Sequence, residues 1–132
     1  MMITKDDVES FLGRLEGGNA TVKDLGGGLW VVRTPEEAEV VVSFAPPVAI
    51  LRVKVMALPA GEPRRGELYR QLLELNARDL VHGSYGLEGD DVVLTDTLEL
   101  ENLDFSEFEA SFDSITLALA SHLSALAPYR ER

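Results

Sequence analysis

The stretch from Gly66 to Leu87, GELYRQLLELNARDLVHGSYGL, sets the hardest demand on any fold this chain adopts. It reads as one amphipathic helix, a stop signal and a strand. At about 100° per residue, Leu68, Leu72 and Leu75 form one stripe, Tyr69 and Leu73 lie beside it, and Ala77 lies beyond them. Only Glu67, Arg70, Gln71, Glu74 and Arg78 remain for a polar side. The apolar arc is nearly half the circumference, roughly twice the width that a single core contact uses. Such a helix needs cover on two sides. One cover is the protein's own sheet. The other is either a loop of the same chain or a separate partner.

The remainder of the chain supplies that sheet. Thr4 to Leu15 reads as a first helix, with Thr4 and Asp7 as a capping-box pair and Val8, Phe11, Leu12 and Leu15 as its stripe. Strand signals follow at Thr21 to Leu25, Leu29 to Thr34, Glu39 to Ala45 and Val48 to Leu58. The first two flank Gly26-Gly27-Gly28 and form either one bent strand with a bulge or a hairpin. After the wide helix, Asp79 to Leu87 and Asp91 to Leu100 flank Glu88-Gly89-Asp90, a hairpin signal. Val92, Leu94, Leu98 and Leu100 share one parity, and Asp96 breaks it. The last helix is expected to open on a Ser106–Glu109 capping box behind Phe105 and to stop before Pro128. Its stripe is Phe108, Phe112, Ile115, Leu119, Leu123 and Leu126, and Leu117 stands alone on the opposite, small and polar side. The expected fold class is α+β, in the order α-β-β-β-α-β-β-α, with a mainly antiparallel sheet packed by helices in one domain over residues 1–132.

Composition then removes whole classes of function. The 132 residues include no cysteine, which excludes disulfide frameworks and thiolate chemistry. A formal net charge of −11 argues against nucleic acid as a partner, since phosphate binding needs a basic footprint. Ten acidic residues and no Lys or Arg lie between Glu88 and Asp113, either a solubilising surface or one that steers a basic partner. The charged start MMITKDDVES is unlike a signal peptide, and no apolar run is long enough to span a membrane, so a cytoplasmic protein is expected. His82 and His122 have no ligand at metal spacing, and a place on a strand or helix surface is expected for both. Gly83-Ser84-Tyr85-Gly86 lacks the pattern of a nucleophile elbow, and Gly26-Gly27-Gly28 lacks the Lys and following helix of a phosphate loop. No catalytic residue, cofactor or metal is expected. Surplus apolar surface with so little reactive chemistry favours a protein that binds other proteins.

LYRQLLELN (Leu68 to Asn76), HGSYGL (His82 to Leu87) and GDDVVLTDTLELENLDFSEFEASF (Gly89 to Phe112) resemble the type III secretion chaperone family of the Tir-chaperone kind, and the related YbjN-type domains. The resemblance implies a non-enzymatic homodimer joined through the middle helix and an adjacent strand. Here that places Tyr69, Leu72, Leu73, Asn76, Val81 and Ser84 at the dimer interface, with Leu68, Leu72 and Leu75 toward the sheet. It also implies a secreted effector's extended N-terminal segment held in apolar grooves between the first helix and the sheet. The matching residues are Val8, Phe11, Leu12, Leu15, Trp30, Val42 and Phe44. The alternative is a YbjN-type regulatory or adaptor domain that binds folded proteins without a secretion system. A small-molecule enzyme or sensor on the same scaffold requires a closed polar pocket, which the sequence does not advertise.

Overall fold

The first and last long helices each begin at a capping box, where a side chain satisfies a free amide. A computed structural model describes residues 1–130, which hold three α-helices, one short 3-10 helix and a six-stranded antiparallel sheet. Helix α1 (Lys5–Glu16) starts at Thr4, whose hydroxyl accepts from the Asp7 amide while the Asp7 carboxylate accepts from the Thr4 amide. Hydrogen bonds from the Thr4 backbone and then its hydroxyl hold Asp7 below the usual carboxylate range. Strands β1 (Thr21–Gly26), β2 (Leu29–Arg33), β3 (Glu39–Ala45) and β4 (Val48–Ala57) follow, then α2 (Arg64–Arg78), β5 (Ser84–Glu88), β6 (Asp91–Glu99) and α3 (Phe105–Leu126).

The order is therefore α-β-β-β-β-α-β-β-α, one strand more than the expected count before the middle helix. Residues 21–34 form a hairpin: Thr21 pairs with Arg33 and Asp24 with Trp30. Gly26, Gly27 and Gly28 all take positive φ, which lets the chain reverse there without a Cβ penalty. The sheet order is β1-β2-β3-β4-β6-β5, with β3 and β4 central and β1 and β5 on the borders. Trp30, Val42, Leu51 and Asp96 lie in one row across its inner face. The core is continuous: α1 lies against β1, α2 against β5 and α3 against β6, and their leucines, valines and phenylalanines join one buried cluster. Fully burying one such side chain contributes about 1.5–3 kcal/mol relative to leaving it in water.

Two features depart from the expected pattern. Helix α3 starts one residue after Asp104, which caps it reciprocally with Glu107, so the cap precedes the expected Ser106–Glu109 pair. Asp104 followed by Glu107 has the same spacing as Ser106 followed by Glu109, and the earlier pair wins because Phe105 and Phe108 are then placed to reach the core cluster. The second departure is at the end of the middle helix. It runs to Arg78, and residues 79–83 form a loop, so β5 begins only at Ser84. Gly83 explains the delay. Its φ is 78°, and a Cβ there would stand 2.9 Å from the Thr95 carbonyl oxygen.

Candidate functional site

Helix α2 divides its apolar arc between two environments. Leu68, Leu72 and Leu75 are buried in the chain's own core, as the stripe predicted. Tyr69 is half-buried, while Leu73 remains 67% exposed. Leu72 belongs to both expectations, sheet-facing stripe and dimer contact, and the structure places it in the first. The four-residue step from Tyr69 to Leu73 to Ala77 keeps these side chains on one outer face.

Asn76 has a different task from the intersubunit one implied by the resemblance. Its carboxamide oxygen accepts from the Tyr85 amide at 2.7 Å, and its NH2 donates to the Tyr85 carbonyl at 3.1 Å. Tyr85 lies on β5, the border strand of the sheet. One side chain thus occupies both main-chain groups of a residue that a neighbouring strand would otherwise pair. A covered edge of this kind prevents uncontrolled strand addition. Ser84 lies beside it, exposed at the start of β5 and opposite Thr95.

The loop after α2 carries Val81, which is 86% exposed. Leu117 of α3, 68% exposed, lines the same shallow surface with Leu80, Ser114, Ala118 and Ser121. Below that surface lies a group that sequence reasoning assigned wrongly. His122 is only 5% exposed, not on the helix surface. Its Nδ1 is 2.7 Å from the Tyr85 hydroxyl, and its Nε2 is 3.4 Å from Asp79 Oδ2. With the proton on Nε2, which faces the Asp79 carboxylate, Nδ1 accepts the hydroxyl proton. Burial, and secondly the Asp79 carboxylate, push the Tyr85 hydroxyl up to about 12, so tyrosine stays neutral and donates. The relay ties α2's end to β5 and α3. A helical wheel held the clue, because His122 follows Ile115 by seven residues and so lies about 20° from it. His82, by contrast, sits half-buried in the loop.

The residues matched to a cargo groove are mostly inside. Val8, Leu12, Leu15, Trp30 and Val42 are buried in the core cluster, so α1 closes onto the sheet without an open groove at those positions. Apolar stripes on α1 and the inner sheet face satisfy each other, which removes them from solvent. Phe11 and Phe44 are only partly buried. Phe11 packs its ring 6.0 Å from Phe105 and 5.6 Å from Phe108, and the Arg14 guanidinium lies 3.8 Å over Phe105.

The acidic run is largely engaged in local structure. Glu88 pairs with Arg52, Asp91 with Lys54 at 3.6 Å and Asp90 with Arg65 at 3.9 Å, joining the β5–β6 turn to β4 and α2. Asp96, the residue that broke the strand's parity, points inward and accepts from the Ser111 hydroxyl. Among the described residues no group of three or more His, Cys, Asp and Glu is arranged to hold a metal ion, and no helix is long and apolar enough to cross a membrane.

Comparison with known proteins agrees with this architecture. A chain of the ExoU–SpcU heterodimeric complex from the type III secretion system of Pseudomonas aeruginosa is similar in fold, with a TM-score of 0.66 at 18% identity, over 94% of this chain and 98% of that one. A structure of the Yersinia pestis type III secretion chaperone SycH with a fragment of YscM2 matches at TM-score 0.59 and 15% identity, over 86% and 93%. YbjN from E. coli matches at TM-score 0.66 and 10% identity, over 95% and 96%. No curated protein matches the sequence. The family model CesT_Tir_1 matches residues 1–132, and this chain therefore belongs to the CesT_Tir_1 family.

Proposed function

We propose that the protein is a non-enzymatic binding module of the secretion-chaperone type. It forms a homodimer along the outer face of α2 and holds an extended segment of a secreted protein. The observation that carries the dimer is the exposure of Leu73 on the outer face of α2, together with Val81 and Leu117, both exposed, which line one shallow surface at the helix's end. Large apolar side chains gathered on one surface mark an interaction site more often than a solvated one. Tyr69 and Ser84 border this face, whereas Leu72 and Asn76 support it from within. An extended segment binds by adding main-chain hydrogen bonds at an open strand edge and by placing alternate side chains in apolar pockets.

Light scattering of the purified chain tests the dimer. The expected result is a dimer that Leu73→Asp converts to a folded monomer. A wild-type chain that stays monomeric at high concentration overturns it. Co-expression with a secreted protein encoded beside it tests the second half. The bound segment is expected to be cut by protease as soon as it is released, since it has no fold of its own.

The YbjN match has the same TM-score and shares the fold, and the second reading is a YbjN-type regulatory or adaptor domain that binds folded proteins without a secretion system. It predicts a partner that resists protease both bound and free.

A further inference from the structure

The sheet carries a gap along one side of its central strand. Strand β3 pairs with β4 from Ala45–Val48 to Val41–Arg52 and no further. Strand β6 continues beside β4 as far as Ala57, with a bulge that leaves Val55 unpaired between Lys54 and Met56. From Val53 to Ala57, β4 therefore has β6 on one side and no strand on the other among the described residues. The open edge is five residues long, about 17 Å at the rise of an extended strand.

A cavity of about 490 Å³ lies against this edge. Val41, Val53 and Val55 line it from the sheet, and Leu119, Ala120 and Leu123 from α3. Leu123 belongs to the helix's apolar stripe and is nevertheless 53% exposed. It projects where the missing strand would have supplied a floor. The Val55 carbonyl faces into the gap, since the Arg130 guanidinium donates to it at 3.4 Å. That long hydrogen bond occupies one strand-pairing position without filling the space.

One mouth of the cavity is acidic. Glu36, Glu37 and Glu39 line it. Glu39 pairs with Arg33, while Glu36 and Glu37 have no ion pair among the described residues. The turn that presents them is fixed. The Glu37 amide donates to the Thr34 carbonyl at 2.9 Å, and the Ala38 amide donates to the Thr34 hydroxyl at 3.1 Å. This geometry holds Glu37 at a φ of 67°, a conformation that non-glycine residues adopt only when their surroundings impose it. Of the basic residues in the lining, Lys54 is turned to Asp91 and Arg130 to Val55.

We propose that this notch receives an extended protein segment in which aliphatic residues alternate with Lys or Arg. The segment pairs its main chain with Val53 to Ala57 and displaces Arg130 from the Val55 carbonyl. One aliphatic side chain enters between Leu119 and Leu123, and a neighbouring cation meets Glu36 and Glu37. The inference rests on the segment-binding reading above and gives it an address and a chemistry.

The test uses the whole protein and a labelled, end-capped nine-residue peptide of alternating Lys and Val. Its counterpart has Glu in place of Lys. Fluorescence anisotropy at low salt is expected to show binding of the Lys peptide, at least about tenfold tighter than the Glu peptide. Leu123→Asp is expected to abolish it. The pair Glu36→Gln and Glu37→Gln is expected to weaken it roughly five- to tenfold and to flatten its salt dependence. Removing the same charge elsewhere, with Glu9→Gln and Glu16→Gln, is expected to change little. Hydrogen exchange is expected to slow at Val53 to Ala57 when the Lys peptide binds. Equal affinity for the two peptides overturns the proposal, as does an equal loss from the distant Gln pair. Dissociation of a peptide-free oligomer by Leu123→Asp also overturns it, since a second copy then fills the notch. A secreted segment that co-purifies with Leu123→Asp as well as with the wild type leaves the chaperone reading standing and removes this address.

Discussion

Asn76 shows how much one polar side chain decides. It satisfies both the amide and the carbonyl of Tyr85 at the sheet border. Asn76→Leu loses two hydrogen bonds and leaves two partly buried main-chain groups without partners. A destabilisation of about 2–3 kcal/mol is expected in urea titrations, with a rise in strand-mediated aggregation. Gly83 is constrained more tightly, by a positive φ and by the nearby Thr95 carbonyl. Gly83→Ala is expected to cost about 2 kcal/mol or more and to shift the start of β5, measured by thermal unfolding. Tyr85 makes a prediction in pH. Its hydroxyl is raised from 10.0 to about 12 in the folded chain. Folding therefore favours the protonated form. Its contribution is complete below pH 10 and disappears as pH rises through about 12. Unfolding midpoints across that window are expected to fall more steeply in the wild type than in Tyr85→Phe, which has no hydroxyl to titrate.

At the scale of elements, α2 and α3 teach opposite lessons about stripes. In α2 the leucines at 72 and 73 are adjacent in sequence and separate in fate. Leu72→Ala is expected to cost about 2–4 kcal/mol from lost burial and the cavity left behind. Leu73→Ala is expected to change the protomer's stability by less than about 0.5 kcal/mol. Urea unfolding of both variants at fixed subunit concentration separates the two. In α3 the buried arc is rotated from the apolar one. Ser111 and His122 are buried, and Leu123 is not. Relative to Ile115, Ser111 and His122 lie about 40° and 20° to one side and Leu123 about 80° to the other. The helix turns this way because Asp96 and Tyr85 offer partners to the two polar residues. A buried polar group without a partner would cost more than an exposed leucine.

For the molecule as a whole, the sheet order puts β3 and β4 in the middle and β1 on a border with largely exposed residues. Amide exchange is expected to be slowest in the paired stretch Val48 to Arg52, intermediate in Val53 to Ala57 and fastest in β1. The net charge of −11 is spread over a surface where many carboxylates cap helices or pair with β4 and α2. Exposed pairs of this kind contribute about 0–1 kcal/mol each, so salt is expected to change partner binding more than it changes stability.

Period and punctuation in the sequence determined the elements. Leucines at 68, 72 and 75 required a covered helix. Thr4 with Asp7 marked the first cap, and Glu88-Gly89-Asp90 marked a hairpin. The same local patterns could not choose between equivalents. Gly26-Gly27-Gly28 permits a bulge or a hairpin, and Asp104–Glu107 and Ser106–Glu109 are both capping pairs. Only the tertiary structure decided those, because packing of Phe105 and Phe108 and the pairing of β1 with β2 are long-range terms. The functional surfaces divide in the same way. An over-wide apolar arc on α2 was legible from spacing alone, since a helix's faces follow from its pitch. The burial of Trp30 and Val42, the relay through His122 and the notch beside Val53 to Ala57 were not. Each depends on where a second element ends or what it offers as a partner, and neither is encoded within the span of one helix or strand.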